Sequence, residues 1–250
     1  MSSASLGSPS ESVTLGYGGS APIRPEEFHC VHSSYRALYS FLKSVVVSPE
    51  GSHGVSAVRR SCVANVSVIE ADAREVDWSS VVPPSTRAVV VANLPYNVAT
   101  PLVADLLDTV PHLDRFVVMV QKEVALRLAA TAGSSDYGAV SVKVAYWATA
   151  RILGDVPPTV FVPRPKVVSS VIEIRRRDRP AIGSHVRPED LFPIVRTAFG
   201  QRRKMLRRSL ASMTTTSIFD EAGVSPEARP EDLDVEQWGR LAEAIIGARQ

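Results

Sequence analysis

Short apolar runs alternating with segments that carry apolar residues at helical spacing begin near Val66 and continue to about residue 130. Residues 66–69, 88–92 and 116–120 are compact Val-rich runs and predict buried strands. Residues 101–110, with Leu102, Leu106 and Leu107 on one face, and residues 121–130 predict helices. This alternation predicts an α/β fold, a parallel sheet with helices on its faces. Ligands of such sheets gather beyond the carboxyl ends of the strands, where Asp72 and Asn93 fall. Further on, residues 133–138 predict a polar loop. Residues 151–156 and 167–174 predict two strands flanking the proline-rich segment that carries Phe161. From Pro188 onward, residues 188–199, 201–212, 215–222 and 233–246 predict a small helical domain, with Gly200 and Gly223 as breaks.

Residues 1–62 lack this alternation. They are Ser-rich and hold both cysteines and three of the five histidines. One helix is predicted over residues 28–47, from the spacing of Phe28, Val31, Tyr35, Leu38, Tyr39 and Leu42, and the residues before it read as a flexible tail. Cys30 lies between His29 and His32, but two cysteines without a fuller ligand set read as inert thiols, so no metal site is expected.

The run Ala88-Val89-Val90-Val91-Ala92 leads into Asn93-Leu94-Pro95-Tyr96. A strand ending in a proline-stiffened polar turn brings a carboxamide, two backbone carbonyls and an aromatic face to one point. A carboxamide oxygen and a neighbouring carbonyl can accept both protons of an exocyclic amine while the ring stacks on the base. An Asn-capped turn of no chemical consequence is the alternative from these four residues alone.

Charge refines the picture. The net charge of +2 conceals 11 basic against 13 acidic residues in 1–150 and 17 against 13 in 151–250. The densest clusters are Arg175-Arg176-Arg177-Asp178-Arg179 and the run from Arg202 to Arg208, where Arg202, Arg203, Lys204, Arg207 and Arg208 put five cations in seven residues. Such clusters suit phosphates, through charge-assisted hydrogen bonds and counterion release. No apolar run approaches the roughly 20 residues that span a bilayer, and the first residues lack a basic start and an apolar core. No membrane association is expected, and the cytoplasm is the expected compartment.

Six segments then carry a resemblance: Glu70-Ala71-Asp72-Ala73, Asn93-Leu94-Pro95-Tyr96-Asn97, Val118-Met119-Val120-Gln121-Lys122-Glu123-Val124-Ala125, Asp136-Tyr137-Gly138, Phe161-Val162-Pro163-Arg164-Pro165-Lys166-Val167-Val168-Ser169-Ser170 and Ala198-Phe199-Gly200-Gln201-Arg202-Arg203-Lys204. In this order and spacing, residues from about 66 to 250 resemble the small-subunit (16S) ribosomal RNA adenine dimethyltransferases. The resemblance implies a Rossmann-like, S-adenosylmethionine-dependent methyltransferase domain over residues 63–178 and a small all-helical rRNA-binding domain over residues 179–250. It implies that Asp72 contacts the cofactor adenine, that Asn93 lies between cofactor and base, and that the carbonyls around Leu94 and Pro95 hold the target amine. Tyr96 and Phe161 would stack on the flipped base, and the basic run would lie on RNA backbone. A monomer acting on the pre-30S particle is expected.

Members of that family also carry a strand with a glycine-rich loop, then a second strand ending in an acid that binds the cofactor ribose. Leu15-Gly16-Tyr17-Gly18-Gly19-Ser20 is the nearest glycine-rich stretch, but it lacks a preceding apolar strand and is followed by Pro22 and Pro25. Glu50 is the sole candidate for the acid. Two readings stay open for residues 1–62: a misframed or wrongly joined segment, or a diverged homologue that binds RNA without methylating it. Translating the encoding nucleic acid upstream of Cys62 in all frames distinguishes them.

Overall fold

The computed structural model describes residues 11–15, 44–48, 66–70, 73–82, 87–95, 98–162, 164–183 and 186–249. These divide into two compact units, residues 1–120 and 121–250. No helix among the described residues is long and apolar enough to cross a membrane.

The first unit is built on parallel strands. β1 (Glu11–Leu15), β2 (Ser44–Ser48), β3 (Val66–Glu70), β4 (Ala88–Asn93) and β5 (Leu113–Gln121) follow one another in sequence but lie in the order β3-β2-β1-β4-β5. β1 therefore lies between β2 and β4, pairing Leu15 with Val47 on one side and Ala92 on the other. The order reverses direction at β1, the kind of switch point at which ligands settle beyond the strand ends. Buried Ala88, Val90 and Ala92 alternate with half-buried Val89 and Val91 along β4. On β5, Phe116, Val118 and Val120 are buried. Among the described residues this unit also contains the helices α1 (Trp78–Val81) and α2 (Ala99–Thr109), the latter burying Leu102, Val103, Leu106 and Leu107.

Two strands thus come from residues 1–62, where the sequence pattern predicts none. β1 reads Glu-Ser-Val-Thr-Leu, too polar and too short to stand out as an apolar run, yet parallel partners on both edges satisfy its backbone. The glycine-rich stretch beginning at Gly16 therefore does follow a strand, contrary to expectation. The helix predicted over residues 28–47 overlaps β2 at its end, where the β-branched run Val45-Val46-Val47 extends. The rest of that prediction lies outside the described residues, as do His29, Cys30, His32 and Glu50.

The second unit contains α3 (Lys122–Ala129), α4 (Ala139–Trp147), the antiparallel hairpin of β6 (Ala148–Val156) and β7 (Ser169–Arg176), and then α5 (Pro188–Gly200), α6 (Leu206–Ser209), α7 (Thr216–Ala222) and α8 (Val235–Gly247). This unit runs across residue 178, the domain boundary that the family resemblance implies. One reason is that Tyr137, Val142 and Tyr146 join Phe192, Phe219, Trp238 and Leu241 in a single core. Edge-on ring contacts tie it together: Tyr146 to Phe192 at 5.5 Å and Tyr137 to Phe199 at 6.0 Å. The Asp136-Tyr137-Gly138 segment is thus held by packing, with Tyr137 buried and its hydroxyl pKa raised by that burial and by the charge of Asp234.

Helix α4 departs from the sequence pattern, which predicts no element there. Val140, Val142 and Val144 alternate with other residues as in a strand. The segment is helical because it is enclosed by helices, and because Ser141 both accepts from Gly138 N–H at 3.0 Å and donates to the Arg127 carbonyl at 2.6 Å. Replacing Phe116 with Ala should empty a fully buried site on β5. The expected loss is about 3–5 kcal/mol of stability, read by urea or thermal denaturation.

Candidate functional site

Asn93 is the last residue of β4, opposite Met119 of β5. The chain turns immediately: Leu94 N–H donates to the Met119 carbonyl at 3.0 Å, and the Leu94 side chain is buried. That bond extends the β4 to β5 ladder by one residue and fixes where the carboxamide emerges. Asn93 itself is exposed, and its carboxamide has no hydrogen-bond partner among the described residues. The Leu94 carbonyl likewise has no donor among them. An amide oxygen and a carbonyl oxygen in successive residues are the two acceptors that a primary aromatic amine requires.

The Pro95 carbonyl differs. It accepts the N–H groups of both Val98 and Ala99, each at 3.1 Å. Both its lone pairs are thereby used in opening α2, which has no side-chain cap of its own. Pro95 thus shapes the turn that follows Asn93. Tyr96 and Asp72 lie outside the described residues. The chain just past Asp72 is anchored, however, because the buried Trp78 ring donates its Nε1–H to the Ala73 carbonyl at 2.8 Å.

Phe161 belongs to the second unit. It sits in the loop joining β6 to β7, just after a single 3₁₀ turn at Pro158–Val160. Phe161 N–H donates to the Pro158 carbonyl and Val160 N–H to the Pro157 carbonyl, both at 3.3 Å. Two prolines with fixed φ and one closed turn limit the directions the ring can take. Phe161 is half-buried, while its neighbours Val160 and Val162 are 61% and 97% exposed.

The basic run falls on a turn and one helical turn, instead of the single helix expected over residues 201–212. Leu206 N–H donates to Ala228 O at 2.8 Å and Arg207 N–H to Pro226 O at 3.0 Å. These bonds start α6 afresh and end any continuity with α5. The five cations are not equivalent. Arg202 donates from Nη2 to the Ser135 carbonyl at 2.7 Å, and its Nε lies 3.6 Å from Glu231 Oε2. Arg207 faces Glu227 at 3.6 Å. Arg203, Lys204 and Arg208 are exposed, and their side chains form no ion pair among the described residues.

A parallel sheet in the order β3-β2-β1-β4-β5, with its switch point beside β1 and helices packed on it, is the architecture of Rossmann-like methyltransferases. Two solved structures share it. A dimethyladenosine transferase from Plasmodium falciparum superposes with a TM-score of 0.69 at 21% identity, over 92% of this chain and 88% of that one. The 23S rRNA methyltransferase ErmE does so with a TM-score of 0.64 at 23% identity, over 95% and 92%. The chain belongs to the ribosomal RNA adenine dimethylase family, whose sequence profile matches residues 38–246. A Ribosomal RNA small subunit methyltransferase A from Cutibacterium acnes is 42% identical over 191 residues, 73% of this chain and 63% of that protein. Its counterpart from Rhodospirillum rubrum is 44% identical over 184 residues, covering 73% and 62%. The chain thus spans a little under two thirds of the length of these relatives.

Arg202→Ala should destabilise the second unit by about 1–3 kcal/mol, because the Glu231 carboxylate, with a buried oxygen, loses its counter-charge and the Ser135 carbonyl its donor. Arg203→Ala or Lys204→Ala should leave the melting temperature nearly unchanged. Thermal denaturation of the three variants checks the contrast.

Proposed function

We propose that this chain transfers methyl groups from S-adenosylmethionine to the exocyclic amines of adjacent adenines in small-subunit (16S) rRNA, giving dimethyladenosine. The observation that carries the reading is the acceptor pair at the end of β4, the Asn93 carboxamide and the Leu94 carbonyl, without partners among the described residues, in a member of the ribosomal RNA adenine dimethylase family. On this reading the protein acts as a monomer in the cytoplasm on the pre-30S particle.

The residues fit the cofactor as well. Gly16-Tyr17-Gly18-Gly19 follows β1, Glu50 comes two residues after β2, Asp72 two after β3, and Asn93 ends β4. The register aligns these strand ends at one edge, as cofactor binding at a switch point requires. When bound, S-adenosylmethionine supplies a methyl group on a sulfonium, already activated for transfer. Glycines there let backbone approach the cofactor closely, Glu50 is assigned to the ribose hydroxyls, and Asp72 to the cofactor adenine.

Little acid–base chemistry is then left to the protein. Asn93 Oδ1 and the Leu94 carbonyl accept the two amine protons, which orients the nitrogen and draws its lone pair out of conjugation with the ring. As the new bond forms, the same two dipoles stabilise positive charge on that nitrogen. Alignment supplies much of the remainder, since a held amine reacts as if at very high local concentration. Tyr96 and Phe161 each offer an aromatic face to the extruded base. Arg203, Lys204 and Arg208 contact RNA phosphates, which sets affinity and leaves the choice of base to the site.

Asn93→Ala should lower methyl transfer to 16S rRNA by at least about 100-fold, read as labelled methyl incorporated into RNA, with RNA affinity nearly unchanged. Absence of S-adenosylmethionine binding by the wild-type chain in calorimetry would falsify the enzyme reading and leave an RNA-binding assembly factor. Methylation of 23S rRNA in place of 16S would redirect it to a large-subunit methylase. Replacing Arg203, Lys204 and Arg208 together with Gln should weaken binding to all RNA sequences alike. It should also reduce the slope of log affinity against log salt by about 2–3 units, measured by filter binding over a salt series.

A further inference from the structure

The loop that carries Phe161 is twelve residues long, from Pro157 to Val168, and hangs from the pair Val156 and Ser169 at the tip of the β6–β7 hairpin. A loop of that length, held by two strand ends alone, frays readily. Here its base is fastened by a set of polar contacts that the acceptor pair and the basic run do not use. Asp155 lies opposite Ser170 in the ladder, and Ser170 donates from Oγ to Asp155 Oδ1 at 2.7 Å. The second carboxylate oxygen, Oδ2, lies 2.6 Å from Lys122 Nζ at the start of α3. Lys122 also donates its backbone N–H to the Val168 carbonyl at 3.0 Å. Asp155 and Lys122 are half-exposed while Ser170 is fully buried, so one arm of the contact is sheltered from water. Hydrogen bonds from Lys122 and Ser170 hold the Asp155 carboxyl below its ordinary pKa, so it stays ionised through the physiological range.

The strand register is arranged to produce this contact. Ile152 pairs with Ile172 and Gly154 with Val171, leaving Leu153 as an extra residue on β6. Without that bulge, counting from Ile152 would set Asp155 opposite Ser169, and Ser170 would face Gly154. Bulges that re-aim a side chain are common beside functional sites. Three segments thus converge on one carboxylate: the strand entering the loop, the strand leaving it, and the first residue of α3.

We propose that Asp155, by gripping Lys122 and Ser170 at once, is a positioning residue that fixes the Phe161 loop so that the ring is presented to an extruded base. The proposal rests on the methyl-transfer reading for the identity of the base, but the ordering of the loop is testable without it. Asp155 touches neither substrate nor cofactor; its effect is transmitted through the backbone from Val156 to Phe161. Loss of the clamp therefore acts on the base step and spares cofactor binding.

The test uses the full chain labelled with 4-fluorophenylalanine, with the Phe161 resonance assigned by Phe161→Leu. In Asp155→Asn the Phe161 fluorine signal should move toward the position of a solvent-exposed phenylalanine and sharpen, while the other six phenylalanine signals stay in place. Ser170→Ala should do the same to a smaller degree, and Asp155→Glu should restore most of the wild-type signal. Methylation of 16S rRNA by Asp155→Asn should fall in kcat by about 10- to 100-fold, the scale expected for a misplaced group, with S-adenosylmethionine affinity unchanged. An unaltered Phe161 signal in both Asp155→Asn and Ser170→Ala overturns the proposal. So does movement of all seven signals together with a fall in melting temperature, which marks a merely structural role. A chain whose loop responds as described but whose wild-type form methylates no rRNA upholds the clamp and sinks the methyl-transfer reading.

Discussion

Parallel pairing of β1 with β2 on one edge and β4 on the other is the constraint on which the candidate chemistry depends. Parallel ladders leave no freedom about which end of a strand faces which, so the carboxyl ends of all four strands from β1 to β4 must emerge along one edge. Strand ends as far apart in sequence as Leu15, Ser48, Glu70 and Asn93 are brought to a common edge by backbone bonds alone, before any side chain contributes. The bond from Leu94 N–H to the Met119 carbonyl carries the same register one residue beyond the sheet. It converts an ordinary strand end into a fixed mount for a carboxamide.

How much of this was legible in the sequence depended on how strongly each segment's own pattern agreed with its surroundings. β4 and α2 were legible because burial on a sheet and on a helix leaves different apolar periods, and Asn93 stood out as the polar stop at the end of a Val-rich run. β1 was not, since its five residues earn their place through partners far along the chain. Helix α4 was hidden for the opposite reason: its alternating valines describe a strand, and enclosure by helices together with the two hydrogen bonds of Ser141 overrules them. Lys122 and Ser170 both lay inside segments that carried the family resemblance. What linked them, Asp155, had no signal of its own, because a single-residue bulge decides what it faces and bulges leave little trace in a hydrophobic pattern.

The cations of the basic run are not alike in their surroundings. Five cations in seven residues suggest one uniform phosphate-binding face, yet the structure spends Arg202 on joining the loop at Ser135 to the turn at Glu231. Arg207 is partly occupied by Glu227. A guanidinium that carries an internal hydrogen bond and a charge partner is a strut first. The Pro95 carbonyl is a parallel case near Asn93, a group of suitable chemistry already engaged in starting a helix. In both places a group of suitable chemistry already has partners within the fold.

The bulge at Leu153 also governs how this hairpin can change length. Everything beyond Asp155 is downstream of the point at which the ladder is re-phased, so residues can be gained or lost between Pro157 and Val168 without altering what the carboxylate faces. A single residue gained or lost between Ile152 and Gly154 has the opposite character, because it exchanges inward and outward positions all the way to the tip. The hairpin therefore has one stretch that is free to drift in length and one that is counted to the residue, and the boundary between them falls at Asp155.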